Sequence, residues 1–278
     1  MDWLDALVQC KQDNVACVVV LITDVQGSAP RSVGTRMVVT ADKIYGTIGG
    51  GALELEGISH ARALMDIACV CKQNKRVSSR LFNLAPELSQ CCGGKVTLQF
   101  DCHLANDFVV HVFGAGHVAQ ELAKLLTRLP CVATFHDTRS DWLSQVETCA
   151  QQDSPVSSSQ IKTRLLGDNV FAHVESLEPG AYYIIMTHSH EIDMDVVEAV
   201  LSRADAAYCG LIASKSKAAA FRKRLRRKGF TEQELLQLTA PIGQTIKTGN
   251  TPMEVAIAAA SDVLNVKNRL LVTSSSTV

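Results

Sequence analysis

The sequence predicts an α/β chain in two parts: a smaller N-terminal α/β domain, then a Rossmann-like domain with a mainly parallel sheet. Three observations carry this. An apolar run at 108–113 stops at a glycine turn and resumes as a helical pattern at Val118, Leu122, Leu125 and Leu126. A second apolar run, 131–135, leads through His136 to an acid, Asp137. Two further apolar stretches, 182–187 and 206–212, read as buried parallel strands. The turn, Gly114-Ala115-Gly116-His117-Val118-Ala119, fits G-x-G-x-x-G/A. There the first glycine permits the turn, the second lets a ligand approach the backbone, and the last small residue lets helix and strand pack. The helix start offers unpaired N–H groups and the positive end of a dipole, so an anion is welcome at Gly114, Gly116 and His117. Asp137 stands where such a unit contacts a ribose hydroxyl.

At 278 residues the chain has length for about two domains. The polar stretch 103–107 marks the boundary, giving domains 1–106 and 107–278. A hydrophobic fraction of 47% allows real cores, and a net charge of −1 gives no general pull toward nucleic acid or membrane. The first residues, with early acids and no long apolar core, do not read as a signal peptide. No apolar run is long enough to predict a membrane span. The ten cysteines are scattered, largely inside apolar segments, and read as small buried hydrophobes in a reducing cytoplasm.

In the first domain, Trp3, Leu4, Leu7 and Val8 have helical spacing, and 15–22 is a β-branched strand. Gly27-Ser28-Ala29-Pro30-Arg31 is a loop in which Arg31 could hold a phosphate with its planar fork. After a short strand at 37–40 comes Gly46-Thr47-Ile48-Gly49-Gly50-Gly51, then a helical pattern over 52–67. Gly49, Gly50 and Gly51 leave a backbone free to fold its N–H groups around an anion, with Ser28 and Thr47 adding donors; the bland alternative is a turn. Glu54 and Glu56 read as acids complementing the helix dipole. Cys91-Cys92-Gly93-Gly94 is a glycine turn whose thiolates could bind a soft metal or relay sulfur, or are incidental.

In the second domain, the strand at 182–187 ends in His188-Ser189-His190-Glu191-Ile192-Asp193. Ligands sit at the carboxyl ends of such strands, so His188 and His190 are candidate contacts, and Asp193 suits a helix N-cap. From 215 to 228, eight of fourteen residues are basic and none is acidic. This reads as a solvated face or as a docking surface for an acidic partner. Thr251-Pro252-Met253-Glu254 is a capping box opening the last helix, with a frayed tail from 273.

Taken together, GSAPRSVGTRMVV (27–39), GTIGGGALELE (46–56), CCGGKV (91–96), VFGAGHVAQELA (112–123), DTR (137–139), THSHEID (187–193), YCGLIASKSK (208–217), PIG (241–243) and NTPMEVAIA (250–258) resemble the XdhC/CoxI family. The paired cysteines resemble the XdhC branch, the accessory proteins of xanthine dehydrogenase. Gln244, Ile246-Lys247 and Ala213-Ser214-Lys215 depart from the family's usual residues. The resemblance implies a cytoplasmic accessory protein rather than an enzyme. Such a chaperone binds the molybdenum cofactor (Mo-molybdopterin) and holds it while a cysteine desulfurase supplies sulfur. It then delivers the cofactor to the molybdenum subunit of apo-xanthine dehydrogenase. Arg31, Gly49–Gly51, Gly114, Gly116, His117, Asp137, His188 and His190 are then cofactor contacts. Cys91 or Cys92 faces molybdenum or relays sulfur, between the domains. Nucleic acid and membrane are not expected partners; a homodimer is. Two rival readings stand: an NAD(P)-dependent oxidoreductase, and a sulfurtransferase carrying persulfide on Cys91 or Cys92.

Overall fold

The computed structural model describes residues 1–71, 77–84, 94–152, 160–244, 246 and 249–275. The chain divides into two compact units, Met1–Ala105 and Asn106–Val278.

The first unit runs α1 (Trp3–Asp13), β1 (Cys17–Gln26), β2 (Arg36–Val39), β3 (Ile44–Gly46), α2 (Gly51–Cys71), β4 (Val77–Asn83) and β5 (Lys95–His103). Its sheet is antiparallel, in the order β3-β2-β1-β5-β4, with a register shift in β1 between Ile22 and Asp24. Alternation sends Val18, Val20 and Ile22 of β1 to one face, where they meet Leu53, Ala61 and Leu64 of α2 and Leu98 and Phe100 of β5. Cys17 and Val19 point the other way, onto Ala6 and Cys10 of α1. Strand β4 is an addition to the sequence reading. As an edge strand it keeps only Phe82 fully buried, so its apolar signal is weak.

The second unit runs β6 (Val109–Phe113), α3 (His117–Leu126), β7 (Val132–Asp137), α4 (Ser140–Gln152) and β8 (Gln160–Leu165). It continues through α5 (Val170–Glu175), β9 (Tyr182–Ile185), α6 (His190–Arg203), β10 (Tyr208–Leu211), α7 (Lys215–Arg227), α8 (Glu232–Leu235), β11 (Leu238–Thr239) and α9 (Pro252–Ser275). All six strands are parallel, in the order β11-β10-β9-β6-β7-β8. This is the doubly wound Rossmann order, with its switch point between β6 and β9. Helices α3, α4 and α9 bury Ala119, Leu122, Val146 and Ala260 on one face. Helices α5, α6 and α7 bury Val174, Val197 and Phe221 on the other. Each large apolar side chain so buried contributes about 1.5–3 kcal/mol.

Several helix ends follow the residues that open them. In α9, Thr251 accepts from Glu254 N at 3.4 Å while the Glu254 carboxylate accepts from Thr251 N at 3.1 Å, the expected reciprocal box. That helix extends through Ser275, into the stretch expected to fray. Helix α6 is capped by Ser189, not by Asp193: Ser189 accepts from the amides of Glu191 and Ile192 at 3.3 and 3.5 Å. Among the described residues no helix is long and apolar enough to cross a membrane.

Candidate functional site

In the first unit, three motifs meet at one end of the sheet. Pro30 packs over Gly49: a Cβ on that glycine would stand 2.7 Å from the proline ring, with Arg31 Cγ at 3.4 Å. Gly94 closes the same end, since a Cβ there would collide with the Ser28 carbonyl and lie 2.8 Å from that of Gln26. Only glycine fits so close a backbone approach. Arg31 is exposed. The triple-glycine loop does not present bare amides throughout, however. Glu54 reaches back from the first turn of α2 to accept from Ile48 N and Gly50 N, both at 3.0 Å, and from the Thr47 hydroxyl. The amide of Gly49 donates to Thr47 Oγ1 at 3.1 Å. A carboxylate thus already occupies part of the anion cradle. Cys91 and Cys92 lie outside the described residues.

The second unit builds a more complete site at the carboxyl edge of its sheet. Gly114 follows β6 with φ +117°, and a Cβ there would lie 2.5 Å from the Met186 carbonyl oxygen at the end of β9. Helix α3 then opens at Gly116, whose cap makes no side-chain hydrogen bond. Beside it lies a pocket of about 400 Å³, lined by Gly116, His117, Met186, Thr187, Ile212 and Lys217 among others. Its charge is held from beneath. Lys217 Nζ bonds Asp193 Oδ2 at 2.6 Å, and Asp193 Oδ1 accepts the Thr187 amide and hydroxyl at 2.8 and 2.7 Å. The Asp193 side chain is 0% exposed and that of Lys217 19%. The lysine therefore presents a fixed ammonium at the pocket wall, near the positive end of α3.

This constellation corrects the reading of the basic stretch. Lys217 turns inward to Asp193. Arg222 donates to the carbonyls of Ala240 and Leu238 at 3.0 Å each, and Arg226 and Lys228 pair with Glu232 and Glu198. Lys215, Lys223, Arg224 and Arg227 remain on the exposed face. No local spacing signals Lys217–Asp193, because its partners lie on successive crossovers. His188 and His190 are exposed at the same edge and do not line the pocket. Among the described residues no group of three or more His, Cys, Asp or Glu could hold a metal.

Asp137 is placed at the end of β7, but its carboxylate is spoken for. Oδ2 accepts from Ala115 N and Arg139 Nη2, each at 2.8 Å. Oδ1 accepts from Arg139 Nε at 2.8 Å and Arg139 N at 3.0 Å. Burial pushes its pKa up, but the bonds from the Arg139 side chain and the two amides outweigh this and hold it below the usual range.

A polar chain starts at the exposed Glu178, passes through the buried His111 and His136, and ends at the half-buried His173. Glu178 accepts from His111 at 3.1 Å, His111 Nδ1 meets His136 Nε2 at 3.1 Å, and His136 Nδ1 meets His173 Nε2 at 2.9 Å. Each histidine lies within or beside an apolar run, so nothing in the sequence signals that the three meet. Burial, then the neighbouring imidazoles, hold His136 well below its ordinary value; burial and Arg164 lower His173. Between its folded and unfolded values each is neutral in the folded protein while the unfolded chain takes up a proton. Stability is thus fully present above the unfolded value near 6.5 and drains as pH falls toward the folded values. For His136 the slope approaches that of one proton taken up per unfolding event as pH falls below the unfolded value. Urea unfolding of a Trp3→Phe variant, which leaves Trp142 as the reporter, should show this loss between pH 7.5 and 5.5. His136→Phe should flatten it; an unchanged slope would exonerate the histidine.

A doubly wound parallel sheet with a glycine turn at its switch point and a cation-walled pocket beside it defines a Rossmann-fold domain. The chain belongs to the XdhC family: residues 110–263 match the XdhC Rossmann domain, and residues 10–68 match the XdhC and CoxI family. It is 29% identical over 263 residues to YqeB, an uncharacterized protein of Escherichia coli K12. That alignment takes in 93% of this chain but only 45% of YqeB, so the chain spans less than half the length of that relative. A crystal structure described as a xanthine dehydrogenase from Bacillus halodurans is similar at 16% identity and a TM-score of 0.43, over 97% of this chain and 96% of that one.

Proposed function

We propose that this protein is an accessory factor that holds the molybdenum cofactor, keeps it through sulfuration by a cysteine desulfurase, and passes it to xanthine dehydrogenase. Family membership supports the accessory role. The pocket of the second unit is the single structural observation that carries the binding role. Its fixed Lys217 ammonium and the uncapped start of α3 suit the terminal phosphate of a pterin cofactor. When bound, the cofactor supplies the metal centre that the recipient enzyme uses. This chain's own residues do the rest. Gly116 lets an anion approach the backbone, Asp193 and Thr187 fix the lysine, and Met186 and Ile212 give the pocket an apolar wall. Cys91 and Cys92 are assigned the sulfur-facing role.

The test is purification after co-expression with cofactor biosynthesis, measuring molybdenum and the fluorescence of oxidised pterin per chain. Approach to one of each is expected; a chain free of pterin would end the reading. Replacing Cys91 and Cys92 together by Ala should abolish activation of apo-xanthine dehydrogenase while circular dichroism stays unchanged. Activation at the wild-type rate would remove the cysteines from the scheme. Of the NAD(P)-dependent oxidoreductase reading, only the form that needs Asp137 to accept an unphosphorylated ribose diol is opposed by the engaged carboxylate.

A further inference from the structure

The sugar-reading position of this Rossmann unit is built for an anion. A carboxylate offers about four acceptor sites, and all four of Asp137's are filled by Ala115 N and by the amide, Nε and Nη2 of Arg139. A ribose diol arriving here would find no acceptor. What it would find is the guanidinium. Arg139 spends its Nε and one Nη2 proton on Asp137, and its other three N–H bonds find no partner among the described residues. The Asp137 side chain is 1% exposed and that of Arg139 34%, so the pair turns its acid inward and its cation outward. The fork is also locked. Its carbon lies 4.8 Å over the Trp142 ring, and Trp142 in turn meets the edge of His117, a pocket residue, at 5.4 Å. A guanidinium fixed on two sides and open on the third loses little entropy in binding a phosphate. Asp141, exposed in the first turn of α4, is the adjacent acid; it lowers the local potential without occupying the fork.

The geometry points to a nucleotide carrying a phosphate on its 2′-oxygen as a ligand of this unit, with Arg139 as the residue that selects it. In Rossmann units the end of the second strand faces the 2′ position, and an arginine there accommodates a 2′-phosphate. Strand β7 is that strand, and Arg139 stands two residues beyond its end. This selectivity does not rest on the cofactor-carrier reading; molybdenum and pterin content test that separately.

Three probes isolate the position. Adenosine 2′,5′-bisphosphate, adenosine 3′,5′-bisphosphate and adenosine 5′-monophosphate are titrated calorimetrically into the full chain at low salt. The 2′,5′-compound should bind at least about tenfold tighter than either of the others, the 3′,5′-isomer controlling for charge alone. Arg139→Gln should erase that preference. If thermal melting shows Arg139→Gln to be unfolded, Arg139→Lys, which keeps a point charge but loses the fork, should retain the fold and reduce the preference. Equal affinity for the two bisphosphates, no binding of any probe, or a preference that survives loss of Arg139 would overturn the assignment.

Discussion

Gly114→Ala should cost the second unit about 3–5 kcal/mol and, on the proposed function, abolish retention of pterin. Two separate penalties meet at this residue. Its φ of +117° lies where an L side chain is strained. Its missing Cβ would sit 2.5 Å from the Met186 carbonyl oxygen and 2.8 Å from that carbonyl's carbon, both backbone atoms. Neither strand can yield cheaply. Gly114 N donates to the His136 carbonyl at 2.7 Å, and Met186 N donates to the Phe113 carbonyl at 2.8 Å, tying β6, β7 and β9 together at the point of collision. Gly116→Ala is the control. Nothing stands within 4 Å of a Cβ at Gly116, so the fold should hold within about 1 kcal/mol while ligand binding suffers. Urea midpoints reported by Trp142, with Trp3 replaced by Phe, separate the two. Equal losses at both glycines would show that the strand-end collision does not govern this turn.

The contrast between those glycines marks what the sequence does and does not disclose. The Rossmann unit was legible because its strands are buried on both faces and read as continuous apolar runs, and because the G-x-G-x-x-A turn lies between a run and a helical period. The edge strands β4 and β8 were not, since Val77-Ser78-Ser79-Arg80 and Ile161-Lys162-Thr163-Arg164 carry polar residues toward solvent. Turn motifs were legible as positions but not as occupied or vacant sites. Nothing in Gly49-Gly50-Gly51 says that Glu54 will fold back onto the amide of Gly50, and nothing in Asp137-Thr138-Arg139 says that the arginine will take the acid's lone pairs. Whether a donor is free for a ligand depends on side-chain rotamers and tertiary neighbours. Lys217 and Asp193 are the extreme case: 24 residues apart, one in a stretch read as a basic face and the other read as a helix cap.

Asp193→Ala should destabilise the second unit by about 3–5 kcal/mol, the usual cost of leaving one member of a buried ion pair without its partner. Lys217, at 19% side-chain exposure, would keep its charge beside Phe221 and Ile212 with only the Ile212 carbonyl, 3.5 Å from Nζ, to receive it. The Thr187 amide and hydroxyl would lose their acceptor as well. Lys217→Met should cost less, because the Asp193 carboxylate keeps both Thr187 donors. The two changes together should cost less than their sum, by at least about 1 kcal/mol, since the double variant buries no orphan charge. A simple sum of the two losses in urea unfolding would mean the pair contributes nothing as a pair. The function reads out differently. In Asp193→Asn the Thr187 contacts can persist while the ammonium is no longer anchored, so folding should recover in part whereas affinity for phosphorylated ligands should not. Recovery of both would assign Asp193 to packing alone and release Lys217 from the site.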